Sequence, residues 1–253
     1  MTSERQTQLQ GQRQTERSTT MIDRIPTTKV VIFGESGVGK TCFSDMFVMG
    51  THYSTWAIAD QAQNHRPLLV DDTWHKLDLL DVNSSLFHGP LDPNFNSTLY
   101  NDFLARARGI ALLYDITSRK SYEDITTKGY WCVYQSRFHT AMVDPAAGNR
   151  VAFPCPRQRF GCVLVGTKKD LVRQDSGKRE VDEEVAREWA DSQGIPFFEV
   201  DTDVEVETED AMRALVGDIR RKEERDAEDV QTERNRLKES KERRFRTIKG
   251  AFR

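Results

Sequence analysis

The sequence predicts a three-layer α/β domain built on a mainly parallel six-stranded sheet with one antiparallel hairpin strand. Three observations carry this. Short continuous apolar runs at Lys29-Val-Val-Ile-Phe33, Gly109-Ile-Ala-Leu-Leu-Tyr-Asp115 and Gly161-Cys-Val-Leu-Val-Gly166 have the character of parallel strands buried on both faces. Helical segments alternate with them, and a strand, helix, strand rhythm implies crossover connections in one sheet. The first strand also breaks at Gly34 into Gly-x-x-x-x-Gly-Lys-Thr, a glycine-rich turn that opens directly into a helix.

Taken in chain order, Cys42 to Met49 reads as a helix closing at Gly50. Thr51 to Asn64 has little periodicity and is a candidate mobile loop. Pro67-Leu-Leu-Val-Asp71 and His75 to Val82 read as two strands of a hairpin across Asp72-Thr73-Trp74, and Asp81 falls at the end of the second. The strand at Gly109–Asp115 follows, then those at Gly161–Gly166 and Ile195–Val200, with helices expected at Ser121 to Arg137, Val181 to Ser192 and Thr208 to Glu224. Val82 to Asn101 and the Pro-rich Ala141 to Arg159 read as additions to the domain. The expected organisation is a disordered tail over 1–26, one domain over 27–222, and a charged tail over 223–253 that is helical or disordered.

The glycine-rich turn carries the first chemistry. Its glycines let the backbone wrap closely around a phosphate, so that N–H groups from Gly34, Ser36, Gly37, Val38, Gly39 and the start of the next helix at Thr41 and Cys42 point at the anion. Lys40 can reach the β and γ phosphates, and the Thr41 hydroxyl can ligate Mg²⁺. Asp81, forty-one positions after Lys40 at a strand end, is placed to hold Mg²⁺ through water. Ligands of such sheets sit at the carboxyl ends of the strands, where the turn, Asp81 and the segment after Val165 all fall.

That last segment, Val165-Gly-Thr-Lys-Lys-Asp-Leu171, resembles the Asn/Thr-Lys-x-Asp guanine motif of Ras-like small GTPases. The Asp170 carboxylate can accept from guanine N1–H and the exocyclic amine, a donor pair that adenine does not present. Lys168 offers an aliphatic stem to the loop and base, and Thr167 stands in the Asn/Thr position, with Leu171 completing the segment. The likeness extends over most of Thr28 to Arg221: Lys76-Leu-Asp-Leu-Leu-Asp81 resembles the strand leading into the family's second switch, Ala107 to Ile125 its next strand and helix, and Glu209 to Arg221 its last helix. The resemblance implies a P-loop NTPase of the Ras-like G-domain type that binds GTP and GDP with Mg²⁺. It also implies effector and regulatory proteins that read two switch loops, here Thr51 to Asp60 and Val82 to Leu99.

Departures from the family pattern bear on the chemistry. Asp-x-x-Gly-Gln of the second switch reads Asp81-Val-Asn-Ser-Ser85, so serine replaces both the glycine that contacts the γ-phosphate and the glutamine that orients water. Slow intrinsic hydrolysis is expected, and no catalytic residue is assigned. In the first switch, equal spacing puts Ala59 where the family has its Mg²⁺-ligating threonine; Thr55 matches only after a shift, and a missing ligand is the third option. The base-supporting Ser-Ala-Lys motif is replaced by Asp201-Thr-Asp203. Two functional classes follow: a GTP-binding signalling switch with slow hydrolysis, or a pseudo-GTPase interaction module that holds nucleotide statically or not at all. A P-loop ATPase or kinase outside the family is a third, distinguishable by base selectivity.

Composition bounds the setting. The chain has 253 residues, 37% hydrophobic and 30% charged, with net charge −3, and no apolar run long enough to span a membrane. Its start lacks the apolar centre of a secretory signal, and its four cysteines include no C-x-x-C pair, so a cytoplasmic protein with reduced thiols is expected. No cysteine follows Cys162, so a carboxyl-terminal prenyl anchor is not expected. From Arg234 to Arg253 nine Lys or Arg stand against Glu239 and Glu242, with Leu237, Phe245, Ile248 and Phe252 roughly on one helical face. That pattern suits an anionic membrane surface, calmodulin-like capture, or a solvated helix. A monomer without specific nucleic-acid binding is expected.

Overall fold

The computed structural model describes residues 25, 27–51, 65–84, 103–104, 106–134 and 159–251, with side chains as far as residue 241. Six strands form one sheet: β1 (Thr27–Gly34), β2 (His65–Val70), β3 (Thr73–Asn83), β4 (Gly109–Asp115), β5 (Gly161–Thr167) and β6 (Phe197–Glu199), in spatial order β2-β3-β1-β4-β5-β6. Only the β2–β3 pair is antiparallel; β1 runs parallel to β3 and β4, and β5 runs parallel to β4 and β6. The expected mainly parallel sheet with one hairpin strand is therefore present.

Helices cover both faces, because alternate residues of each central strand point to opposite sides. Val30 and Ile32 of β1, with Ala111 and Leu113 of β4 and Val163 and Val165 of β5, pack under α1 (Lys40–Met49) and α5 (Glu205–Ala251). Val31 and Phe33, with Ile110, Leu112, Tyr114 and Leu164, pack on the other face. There they meet Tyr122 of α2 (Arg119–Asp124), Ile125 and Val133 beyond it, and Ala186 and Ala190 of α4 (Glu183–Gln193). A short α3 (Lys169–Gln174) follows β5 directly.

Several boundaries differ from those the sequence suggested. The hairpin turns on Asp71 and Asp72, both at positive φ (47° and 58°), so Thr73 and Trp74 already belong to β3; two consecutive left-handed residues match the twist of a two-residue hairpin. β3 continues through the buried Val82 to Asn83, so Val82 belongs to the strand, and the rest of the addition expected over Val82 to Asn101 lies, from residue 85 on, outside the described residues. The helix expected over Ser121 to Arg137 contains a π turn at Ile125–Gly129.

The largest difference is α5, which does not stop near Glu224 but runs unbroken for 47 residues, about 70 Å at the usual rise. No Gly or Pro occurs between Asp218 and Lys249, so no stop signal interrupts a run rich in Glu, Arg and Lys. Its first turns are fixed by burial of Ala211, Met212, Leu215, Val216 and Ile219. Asp218, 1% exposed, accepts from the Cys162 N–H at 2.8 Å and from Lys222 at 2.6 Å, which joins the helix to β5. Beyond that point Arg108 grips Glu223, and Arg159 reaches Asp226 (2.6 Å) and Asp229 (2.7 Å). From Gln231 to Lys241 every residue is exposed. No helix among the described residues is long and apolar enough to cross a membrane.

The close approach of α5 depends on Gly161. A Cβ there would lie 2.3 Å from Ile219 Cγ1 and 2.7 Å from the Ile219 backbone nitrogen, and backbone cannot swing aside. Gly161→Ala is therefore expected to cost about 1–3 kcal/mol in denaturant unfolding. An unchanged midpoint would mean that α5 does not rest on β5 this closely.

Candidate functional site

The carboxyl edge of the sheet gathers the sequence-derived residues in two adjacent loops. The first follows β1. Gly34 brings the chain against β4, since a Cβ there would lie 2.5 Å from the Leu113 carbonyl oxygen. Gly37 and Gly39 then take φ values of 83° and 90°, which ordinary side chains resist. Gly39 is the N-cap of α1 and supplies no side-chain hydrogen bond, so the first N–H groups of α1 lack the side-chain partner that would compete with an anion.

Lys40 opens α1 yet is only 7% exposed. Its Nζ donates to the Glu35 carbonyl at 2.7 Å and lies 3.9 Å from Asp81 Oδ1. Burial holds the ammonium's pKa below the ordinary lysine value, partly opposed by the charges of Asp81 and Glu35. The parallel register that sets Ile32 beside Asp81 brings β3 to the same edge. There the Thr41 hydroxyl donates to Asp81 Oδ2 at 2.9 Å. A hydroxyl and one carboxylate oxygen side by side fit Mg²⁺, a hard cation that takes few protein ligands and completes its shell with water and phosphate. Cys42 is exposed one residue on, its thiol pushed up by partial burial and by the nearby Asp45 and Asp203.

The second loop leaves β5. Thr167 is fully buried, and its Oγ1 lies 2.6 Å from the Val38 carbonyl oxygen and 2.9 Å from that of Tyr114, able to donate to either. One hydroxyl thus joins the glycine-rich loop, β4 and β5. Lys168 takes a left-handed conformation (φ 65°) and caps α3, with its Nζ 2.6 Å from Asp115 Oδ2. Asp170 stands in the first turn of α3, and Leu171 N–H donates back to the Lys168 carbonyl at 3.1 Å.

Asp201 is mostly buried and already committed. It pairs with Arg173 at 2.9 Å and accepts from the Asp203 N–H at 3.0 Å, closing its own turn. The acidic segment is therefore partly neutralised within the loop. Thr55, Ala59 and Ser85 lie outside the described residues; Ser84 directly follows β3.

Sequence reasoning missed two participants. Asp115 was quoted only as a strand end, though an acid closing a buried strand beside a lysine-bearing loop was the available signal. Glu35 accepts Lys120 at 2.8 Å, tying the glycine-rich loop to α2, and no spacing rule marks that pair.

A parallel sheet whose first strand feeds a phosphate-cradling turn, with a second loop pinned beside it, defines a P-loop G domain. Residues 29–221 match the Ras family, and the chain belongs to that family of small GTP-binding proteins. Among its relatives are Ras-like protein 2 of Mucor circinelloides f. lusitanicus, 26% identical over 76% of this chain and 82% of that protein, and Ras-like protein rasC of Dictyostelium discoideum, 24% identical over 76% and 86%.

The buried lysine has a consequence for stability. Because its folded-state pKa lies below the ordinary 10.5, the unfolded chain binds more protons in the window just under that value, so stability rises with pH there. In nucleotide-free protein, Lys40→Met is expected to remove that rise and to raise the melting temperature at pH 7, where wild type carries the desolvated charge. A lower melting temperature for Lys40→Met would mean that the contacts to Glu35 and Asp81 outweigh the cost of burial.

Proposed function

We propose that the chain is a GTP-binding signalling switch with slow intrinsic hydrolysis. The observation that carries this reading is the buried Thr167 hydroxyl, which couples the phosphate loop to the loop bearing Asp170, so that phosphate and base would be held in one frame. In this reading Gly34 and Ser36 to Cys42 cradle the phosphates, Lys40 neutralises them, and Asp170 accepts from guanine with Thr167, Lys168 and Leu171 shaping its loop. Thr41 and Asp81 would hold Mg²⁺, with Thr55 as a further ligand, and the ion would supply charge neutralisation between the β and γ phosphates. Effector and regulatory proteins would read the segments around residues 51–60 and 82–99.

Slow hydrolysis rests on Ser84 and Ser85. Serine at 84 keeps a backbone N–H but restricts the turn that glycine permits, and Ser85 is too short to orient water as glutamine does. With radiolabelled GTP bound, turnover is expected at or below the unassisted rate of Ras, about 10⁻⁴ s⁻¹. A rate ten times faster would overturn the assignment of slow hydrolysis.

The primary test is titration of nucleotide-stripped protein with fluorescent GTP, GDP and ATP analogues in Mg²⁺. Submicromolar binding selective for guanine is expected, lost in Lys40→Ala, and with the preference over ATP abolished in Asp170→Ala. Equal competition by ATP would reject the guanine assignment, and an absence of binding would make the chain a pseudo-GTPase interaction module.

The basic end of α5 supports a second element of the proposal, attachment of a cytoplasmic monomer to anionic membrane. Each basic residue near such a surface contributes about 1 kcal/mol. Flotation with phosphatidylserine liposomes is expected to carry the full chain and not a variant lacking 234–253; equal flotation of both would reject the anchor.

A further inference from the structure

We propose that Asp115 is a positioning residue for the nucleotide: by holding the Lys168 ammonium it fixes the loop that presents Asp170, and so governs how slowly a guanine nucleotide leaves. The inference rests on the nucleotide-binding reading above and assigns a role to a residue outside the glycine-rich and guanine motifs.

Lys168 is one of only three non-glycine residues at positive φ among the described residues, and the other two, Asp71 and Asp72, form a hairpin turn. A lysine has no intrinsic preference for that conformation, so something around it must hold it there. What holds it comes from two consecutive residues of β4. The Tyr114 carbonyl is within reach of the Thr167 hydroxyl at 2.9 Å, and Asp115 Oδ2 takes the Lys168 ammonium at 2.6 Å. Register places Asp115 directly beside Thr167 across the β4–β5 pair, so the lysine reaches back to the neighbouring strand's last residue.

Asp115 is itself prevented from moving. Its Oδ1 accepts from Thr117 N–H at 2.8 Å and from Thr117 Oγ1 at 2.6 Å, its backbone N–H donates to Ser121 Oγ at 3.0 Å, and the residue is 7% exposed. The two carboxylate oxygens thus have separate tasks: one is fixed by the turn leaving β4, and the other faces Lys168. An ion pair with one partner so constrained loses little freedom when it forms, unlike a pair between two long exposed side chains. Asp170 lies two residues beyond Lys168 in the first turn of α3, so the angle of that turn follows from where Lys168 is held.

This division allows the pair to be cut alone. Asp115→Asn keeps an oxygen for Thr117 and puts an amide where Lys168 needs an acceptor. In full-length protein loaded with fluorescent GDP, Asp115→Asn is expected to speed GDP release about tenfold, the loss of one charge-assisted hydrogen bond. Lys168→Met should do the same, Lys168→Arg should restore slow release, and the double variant Asp115→Asn with Lys168→Met should release no faster than Lys168→Met alone. Wild-type release in Asp115→Asn, or multiplying effects in the double variant, would overturn the proposal. Should Asp115→Asn fail to fold, release from Lys168→Arg as fast as from Lys168→Met overturns it from the other side of the pair. Failure of wild type to bind GDP would instead reject the nucleotide reading, and this inference with it.

Discussion

The buried hydroxyl of Thr167 is the point on which the site geometry turns. Parallel strands bring β1, β4 and β5 to one edge, but parallel pairing alone leaves the loops beyond the strands free to diverge. Thr167 closes that freedom, because its single hydroxyl sits between the Val38 and Tyr114 carbonyls in a place with no access to water. Valine there would fill nearly the same volume and remove the one hydroxyl donor that the two carbonyls share, which is the costly side of hydrogen-bond energetics. The glycine-rich loop and the Asp170 loop consequently form one unit, and Asp115 with Lys168 extends it by one residue.

Stability of that unit is supplied from the opposite end. α5 covers one face of the sheet, and Asp218 reaches the first residues of β5 through the Cys162 N–H. Arg66 at the start of β2 bridges to Glu205 at 2.8 Å and Glu209 at 3.0 Å in the first turns of the same helix. The helix therefore ties together the sheet's β2 edge, its centre and the return of the chain after residue 64. Its later turns carry a different logic: from Gln231 to Lys241 the sequence keeps helix-favouring residues and all of them are exposed, so helicity over that stretch rests on propensity and side-chain pairs rather than on the domain.

How much of this was legible in the sequence follows from range. The strands and the glycine-rich turn are written in local patterns, runs of apolar residues and a fixed spacing of glycines, and the sequence marks both; the spatial order of the strands is not written there. The hairpin was read too, but its turn was placed a residue late, because Asp-Asp is a weaker left-handed signal than Asn-Gly. The extent of α5 was underestimated since a charged helix and a charged disordered tail share a composition. Asp115 is invisible as a participant, and so is the Arg173 partner of Asp201, because Lys168 lies 53 residues from Asp115 and Arg173 lies 28 from Asp201, separations that no local pattern encodes. Thr55 and Ser85 lie outside the described residues, so the readings placed on them stand as readings of sequence alone.

The departures from the family pattern separate into two kinds. At Asp201 the acid read in place of the family's serine closes its turn by accepting from the Asp203 N–H, and Arg173 balances its charge. At Ser84 and Ser85 no such compensation follows from chemistry, since neither residue can restore glycine's freedom or glutamine's reach. In the proposed reading, holding a nucleotide would draw on backbone N–H groups, Lys40 and Asp170, and hydrolysing it on an oriented water. Under the proposed reading, a chain that keeps the first set and alters the second would stay in its triphosphate-bound form until a partner protein supplied the missing group.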